Sequence, residues 1–134
     1  KGTRLHVLSV DDALKLLKDK GYKASKMDKD SISMTYEGSK ILLVRYDDGD
    51  WQSYYGTSGI YMTPAQINEW NRTKRLNRAY IDSDGNPVIE SDLLVGDGIT
   101  DGQFMNFVKV FIDVIRPQFK AFVIDKGSTK KPGK

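Results

Sequence analysis

The sequence predicts an α+β fold: an antiparallel sheet of about five to six strands with helices packed on it, in the order α-β-β-β-β-α-β-β-α. Three observations predict it. Short segments of strand pattern are joined by turns such as Glu37-Gly38-Ser39, Asp48-Gly49 and Asp84-Gly85. Links that short join only antiparallel neighbours. Three other segments carry helical apolar spacing behind a Ser or Thr cap. Helices with one apolar stripe and a sheet with one apolar face bury each other in two layers.

The elements follow in order. Ser9 is the cap of a first helix, with Asp11 and Asp12 where the helix dipole favours acids. Val10, Ala13, Leu14 and Leu17 make its apolar stripe, and Gly21 ends it. Residues 22–27 read as a weak strand. Ile32, Met34 and Tyr36 alternate with Ser31, Ser33 and Thr35, the mark of a one-sided strand. Residues 41–44 are continuously apolar and predict a central strand. Trp51, Ser53 and Tyr55 alternate with Gln52 and Tyr54 in the next.

Thr63-Pro64 opens a second helix, predicted to reach about Arg75. Residues 78–82 and 88–95 form a hairpin, with Ile89, Leu93 and Val95 on one face and Glu90 and Asp92 on the other. Thr100 caps the longest helix, striped by Phe104, Phe107, Val108, Phe111 and Ile115 and continued by Phe119 and Phe122. Pro117 removes a helical hydrogen bond and predicts a kink or break near Arg116.

At 134 residues the chain is sized for one domain, expected over residues 1–125 with a disordered basic tail at 126–134. The formal charge is +3, and omitting the four tail lysines takes it to −1. The body therefore lacks the basic excess of a nucleic-acid surface, and no nucleic-acid partner is expected. There is no cysteine and one histidine, His6. That excludes thiol catalysis, disulfides, a Ser-His-Asp triad beyond this one imidazole and multi-histidine metal sites. No apolar run is long enough to span a bilayer, so no integral membrane segment is expected. The chain starts at Lys1 without Met. A removed leader and a periplasmic or exported location is the preferred expectation, with cytoplasm the alternative.

Candidate chemistry is sparse. The aspartates at 47, 48 and 50 and at 82 and 84 lie in turns and lack a calcium-loop spacing. Gly96-Asp97-Gly98 precedes a helix without the Lys-Ser or Lys-Thr pair of a phosphate loop. Glu90 and Asp92 share a strand face and are the one carboxylate pair that acid–base work could use. Arg72, Lys74, Arg75 and Arg78 read as a solvated face whose arginines pair with acids of the sheet. The expectation is no catalytic residue, no metal and no cofactor. The candidate binding residues are Trp51, Tyr54, Tyr55, Trp70, Asn71, Arg72 and Arg75. Part of the aromatic stripe at 104–122 is a further candidate for docking a partner or a second copy.

Residues 68–92 carry a resemblance. Asn68-Glu69-Trp70-Asn71-Arg72 with Lys74-Arg75, then Arg78-Ala79-Tyr80-Ile81-Asp82, then Pro87-Val88-Ile89-Glu90-Ser91-Asp92, resemble the YbjN domain family of bacterial sensory transduction regulators. The match extends over about residues 9–123. It implies a fold like that of type III secretion chaperones. It also implies a non-enzymatic regulatory or chaperone-like protein that holds a protein or peptide, or a second copy of itself, through its sheet or a helix–sheet groove. The alternative is a small-molecule sensor or an acid-residue hydrolase centred on Glu90 and Asp92. The Trp70-Asn71-Arg72 signature also has a structural reading, in which these polar groups satisfy backbone at a helix-to-strand junction.

Overall fold

Local chemistry places each element of the computed structural model, which describes residues 4–132. Helix α1 (Val10–Asp19) starts at a reciprocal cap between Ser9 and Asp12 and buries Val10, Ala13 and Leu17. Four strands follow: β1 (Lys23–Asp28), β2 (Ser31–Tyr36), β3 (Ser39–Arg45) and β4 (Trp51–Gly56). Then come α2 (Pro64–Thr73), β5 (Arg78–Ile81) and β6 (Pro87–Leu93). The chain closes with α3 (Asp101–Val110), a π-helical turn (Phe111–Ile115) and α4 (Arg116–Lys126). The class and order are those the sequence predicts.

All six strands form one antiparallel sheet in the order β1-β2-β3-β4-β6-β5. Ile32, Met34, Ile41, Leu43, Trp51, Tyr55 and Ile89 alternate onto the face that the helices cover. Trp51 meets Phe104 edge-on at 5.2 Å between centroids, and Trp70 meets Phe119 at 5.1 Å. Such aromatic pairs contribute about 0.5–1.5 kcal/mol beyond their burial. Phe104, Val108, Phe111 and Phe119 are buried as the stripe predicts, while Phe107 is only half-buried.

Three boundaries differ from expectation, each for a physical reason. Helix α2 stops at Thr73, whose hydroxyl donates to the carbonyl of Glu69 at 2.8 Å, and Lys74 is already extended. Pro117 does not break the last helix. The backbone widens into a π turn, and the Arg116 N–H reaches back to the Phe111 carbonyl. In that pattern the Ile112 carbonyl would await the amide of residue 117, which proline lacks. Arg116 Nε donates to it instead, at 3.0 Å. Arg116 is 3% exposed, with Glu37 and Ser39 holding its remaining nitrogens at 2.8 and 3.3 Å. Finally, order continues past Asp125: Lys126 closes α4 and Ser128 pairs with Tyr61 through two backbone bonds. Residues 133 and 134 of the predicted tail lie outside the described residues.

Candidate functional site

The candidate residues of β4 divide by strand alternation. Trp51 and Tyr55 point under the helices, at 1% and 6% exposure, while Tyr54 between them is half-buried on the open face. They cannot form one contact surface, and Trp51 leaves the candidate set as core. So does Trp70, buried against Phe119 and Phe122.

The helix-to-strand junction explains the rest of the signature. The Ala79 N–H donates to Asn71 Oδ1 at 2.8 Å, and Asn71 Nδ2 donates to the Ala79 carbonyl at 3.0 Å. Asn71 thus pairs with Ala79 on the outer edge of β5 as another strand would. Trp70 Nε1 donates to Asn77 Oδ1 at 2.7 Å, and Asn77 Nδ2 donates to the Arg75 carbonyl at 2.8 Å. Leu76 turns the chain in the left-handed region at φ 67°. Ser91 Oγ donates to its carbonyl at 2.7 Å. Arg72 and Arg75 are exposed on this corner and make no ion pair among the described residues.

The corner is one wall of a groove of about 860 Å³. The other wall is α3, through Gln103, Asn106, Phe107 and Val110; the floor is Ser91 and Leu93. Two exposed leucines rim it, Leu76 at 67% and Leu94 at 79%. The strand β5 creates the space by being short. It ends its pairing at Arg78 opposite Glu90, while β6 continues beside β4 to Leu93.

Hydrogen-bond parity shows what the overhang of β6 leaves open. The Pro87 carbonyl accepts from Thr57, on the β4 side; the Asn86 carbonyl accepts from Asp82, on the β5 side. Successive residues alternate sides, so the backbone groups of Asp92 and Leu94 turn toward the groove. They make no backbone hydrogen bond there among the described residues. The groove therefore has apolar walls, a short free strand edge and amide side chains at its rim.

A family model described as "YbjN: Putative bacterial sensory transduction regulator" matches residues 9–123. The chain belongs to the YbjN family. Its fold is similar to the crystal structure of YbjN, described as a putative transcription regulator from E. coli. The TM-score is 0.69, at 17% identity over 91% of this chain and 93% of that one. No curated protein matches.

The YbjN resemblance in the sequence implied a sheet or helix–sheet groove and marked the Trp70–Arg75 corner, but it did not locate a groove between α3 and the β6 overhang. Leu93-Leu94 was the available signal. Two successive leucines end a strand whose alternation calls for a polar residue at one of them, and Leu94 is the exposed one.

The open sheet face carries the carboxylate pair. Arg78 donates to Glu90 at 2.6 Å and to Asp92 at 2.8 Å; Tyr80 donates to Glu90 at 2.6 Å and Gln52 to Asp92 at 2.9 Å. Burial pushes the Asp92 carboxyl up, but the Gln52 and Arg78 hydrogen bonds and the Arg78 charge outweigh it and hold it below its ordinary value. The proton donor of a hydrolase pair needs a raised carboxyl, and Asp92 is not that donor. Burial first, then the bond to Glu90, pushes the Tyr80 hydroxyl far up. Among the described residues no group of acids and histidines could hold a metal ion, and no helix is long and apolar enough to cross a membrane.

Proposed function

We propose that this YbjN protein is a non-enzymatic regulator that binds a protein partner by taking an extended segment of it into the groove between α3 and the β6 overhang. The observation that carries the reading is the free backbone of Asp92 and Leu94 beneath two exposed leucines. An added strand supplies main-chain hydrogen bonds, and alternate side chains supply apolar contact. Phe107, Val110 and Leu93 are placed to receive those side chains. The unpaired Arg72 and Arg75 at the corner favour a segment flanked by acidic residues. The family's regulatory description supports a binding role.

The test is selection from a library of short peptides on the wild type and on a Leu94→Asp variant of unchanged thermal stability. Enriched sequences with alternating apolar residues, lost on Leu94→Asp, support the reading. No enrichment combined with a thermal shift by small apolar compounds would sink it in favour of a ligand sensor, whose sites span about 300–1,000 Å³. Light scattering on the same samples decides whether the segment comes from a second copy.

A further inference from the structure

One loop joins the two sides of the groove. Residues 94–100 lead from the β6 overhang to α3, and Leu94, Ile99 and Thr100 on it line the groove. Its own structure is slight. The Gly98 N–H closes a turn on the Val95 carbonyl at 2.9 Å, and Gly96 and Gly98 sit at φ 54° and 136°. At its start the loop is tied to the body by the Val95 N–H, which donates to Asp50 Oδ1 at 2.8 Å. At its end it is tied by residues 5–8, a strap that crosses it just ahead of α1.

Printed through the strap is a series of specific contacts. His6 and Ile99 exchange both backbone hydrogen bonds, each at 2.9 Å. The His6 ring reaches on to the first turn of α3, where Nε2 lies 2.5 Å from Asp101 Oδ1. Arg4 can only donate and lies 3.3 Å from Nδ1, so Nδ1 accepts and the Nε2 hydrogen goes to Asp101. The Leu8 carbonyl accepts from Arg45 Nε at 2.7 Å. Two glycines make room for the crossing. A Cβ on Gly98 would lie 3.0 Å from the His6 nitrogen, and one on Gly49 would lie 2.6 Å from Val7 Cγ1. The strap thus ties the β3–β4 turn, the loop and the start of α3 together.

We infer that the strap is a clasp on the groove. With residues 5–8 docked, the loop holds Ile99, Thr100 and the start of α3 at the spacing that receives a segment. With the strap undocked, the hinge loosens and the hold is lost. This rests on the groove being where the segment binds. Both backbone groups of Ile99 are spent on His6, so a residue that lines the groove is fixed from behind by the strap. Docking and binding are then coupled, and the coupling is reciprocal: a bound segment holds the strap down by the factor by which a docked strap favours the segment. Whatever frees or pins residues 5–8 controls occupancy of the groove.

The test compares the full chain with a His6→Ala/Val7→Gly double variant, in which no residue of the hydrophobic core is changed. Amide exchange on the free proteins comes first. The variant should exchange faster at Val95 and Gln103, with Ala79 unchanged; equal exchange at Val95 and Gln103 overturns the clasp whether or not any peptide binds. Next, the peptide most enriched on the wild type should bind the double variant at least about five-fold more weakly, the lower end of typical couplings. The same peptide should slow exchange of the wild-type Ile99 N–H by the same factor. His6→Gln keeps a side-chain N–H for Asp101 and should bind nearly as the wild type does; binding as weak as the double variant's overturns the role of that hydrogen bond. Equal peptide affinity in wild type and double variant overturns the clasp and leaves the groove as the binding site. No enriched peptide, with exchange loosened as expected, overturns the segment reading and supports the clasp on the groove.

Discussion

Two strand edges lie a few residues apart in this fold, and they are treated in opposite ways. The outer edge of β5 is closed. Asn71 both donates to and accepts from the Ala79 backbone, so an incoming strand would find that residue occupied. The overhanging edge of β6 is open, with the Asp92 and Leu94 backbone free among the described residues and leucines on both sides. Exposed edges invite pairing, and proteins block those they do not use. A chain that spends an asparagine to close one edge, yet rims the neighbouring one with Leu76 and Leu94, has separated an edge to be protected from an edge to be used. Trp70 joins the two. Its helix presents Asn71 to one edge, and its indole fixes Asn77, which shapes the groove corner beside the other.

The largest effect that can break this comparison is therefore at Trp70. Trp70→Ala should destabilise the chain by about 3–5 kcal/mol, the range for a buried large aromatic, and disturb both edges together. Denaturant unfolding measures the loss, and amide exchange at Ala79 and at residues 76–77 shows whether both sides loosen. Loosening at Ala79 alone would mean that the groove corner stands without the indole.

Asn71→Ala separates the edges. It leaves the Ala79 N–H and carbonyl without their partners, at a cost of about 1–3 kcal/mol. The β5 edge is then exposed, and the variant should gain mass with concentration in light scattering beyond any gain of the wild type in the same range. The groove should keep its peptide affinity. Loss of that affinity in a folded Asn71→Ala monomer would show that the edges are not separable.

Much of this region is legible in the sequence, and the limit falls at a definite point. Caps at Ser9, Thr63 and Thr100, period-2 strands and glycine turns specify the class and the element order, because each is a local rule. Trp70 and Asn71 stand out by type, yet their structural use depends on Ala79 and Asn77 being brought beside them. The groove was not legible for a stricter reason. It exists because β5 stops at Arg78 while β6 goes on, a difference in pairing length between two strands. No residue encodes that difference by itself. Pro117 shows the same limit: proline predicts a lost hydrogen bond, but the choice between a kink and a π turn rests on Arg116 reaching the Ile112 carbonyl.

Ser91→Ala probes the open edge more gently. It removes the hydrogen bond to the Leu76 carbonyl and should cost about 1 kcal/mol. Its informative readout is binding: a groove whose corner is no longer tied to its floor should lose affinity for an enriched peptide while β5 exchange at Ala79 stays slow. Equal affinity in wild type and variant would show that the left-handed turn at Leu76 holds the corner without Ser91.

The smallest expected effect is on the open face, at the residue whose backbone edges the groove. Asp92 has a folded-state pKa below its ordinary 3.8. The ionised form is therefore favoured by folding. Its contribution is fully present above pH 3.8 and is lost as pH falls from there through the folded value. The Asp92 side chain is 45% exposed, so solvent screening keeps this contribution under about 1 kcal/mol. Carboxyl titration by NMR should find Asp92 below its ordinary range, and Arg78→Ala should return it toward 3.8. Tyr80 reads the same network from the alkaline side. Its raised pKa means that folding favours the neutral phenol, a contribution present below pH 10 and lost as pH rises above it. Glu90→Gln should bring its ionisation part of the way back, because burial, the larger cause, remains. If neither titration moves, Arg78 and Glu90 do not couple β5 to β6, and the pairing of the two strands rests on their backbone ladder alone.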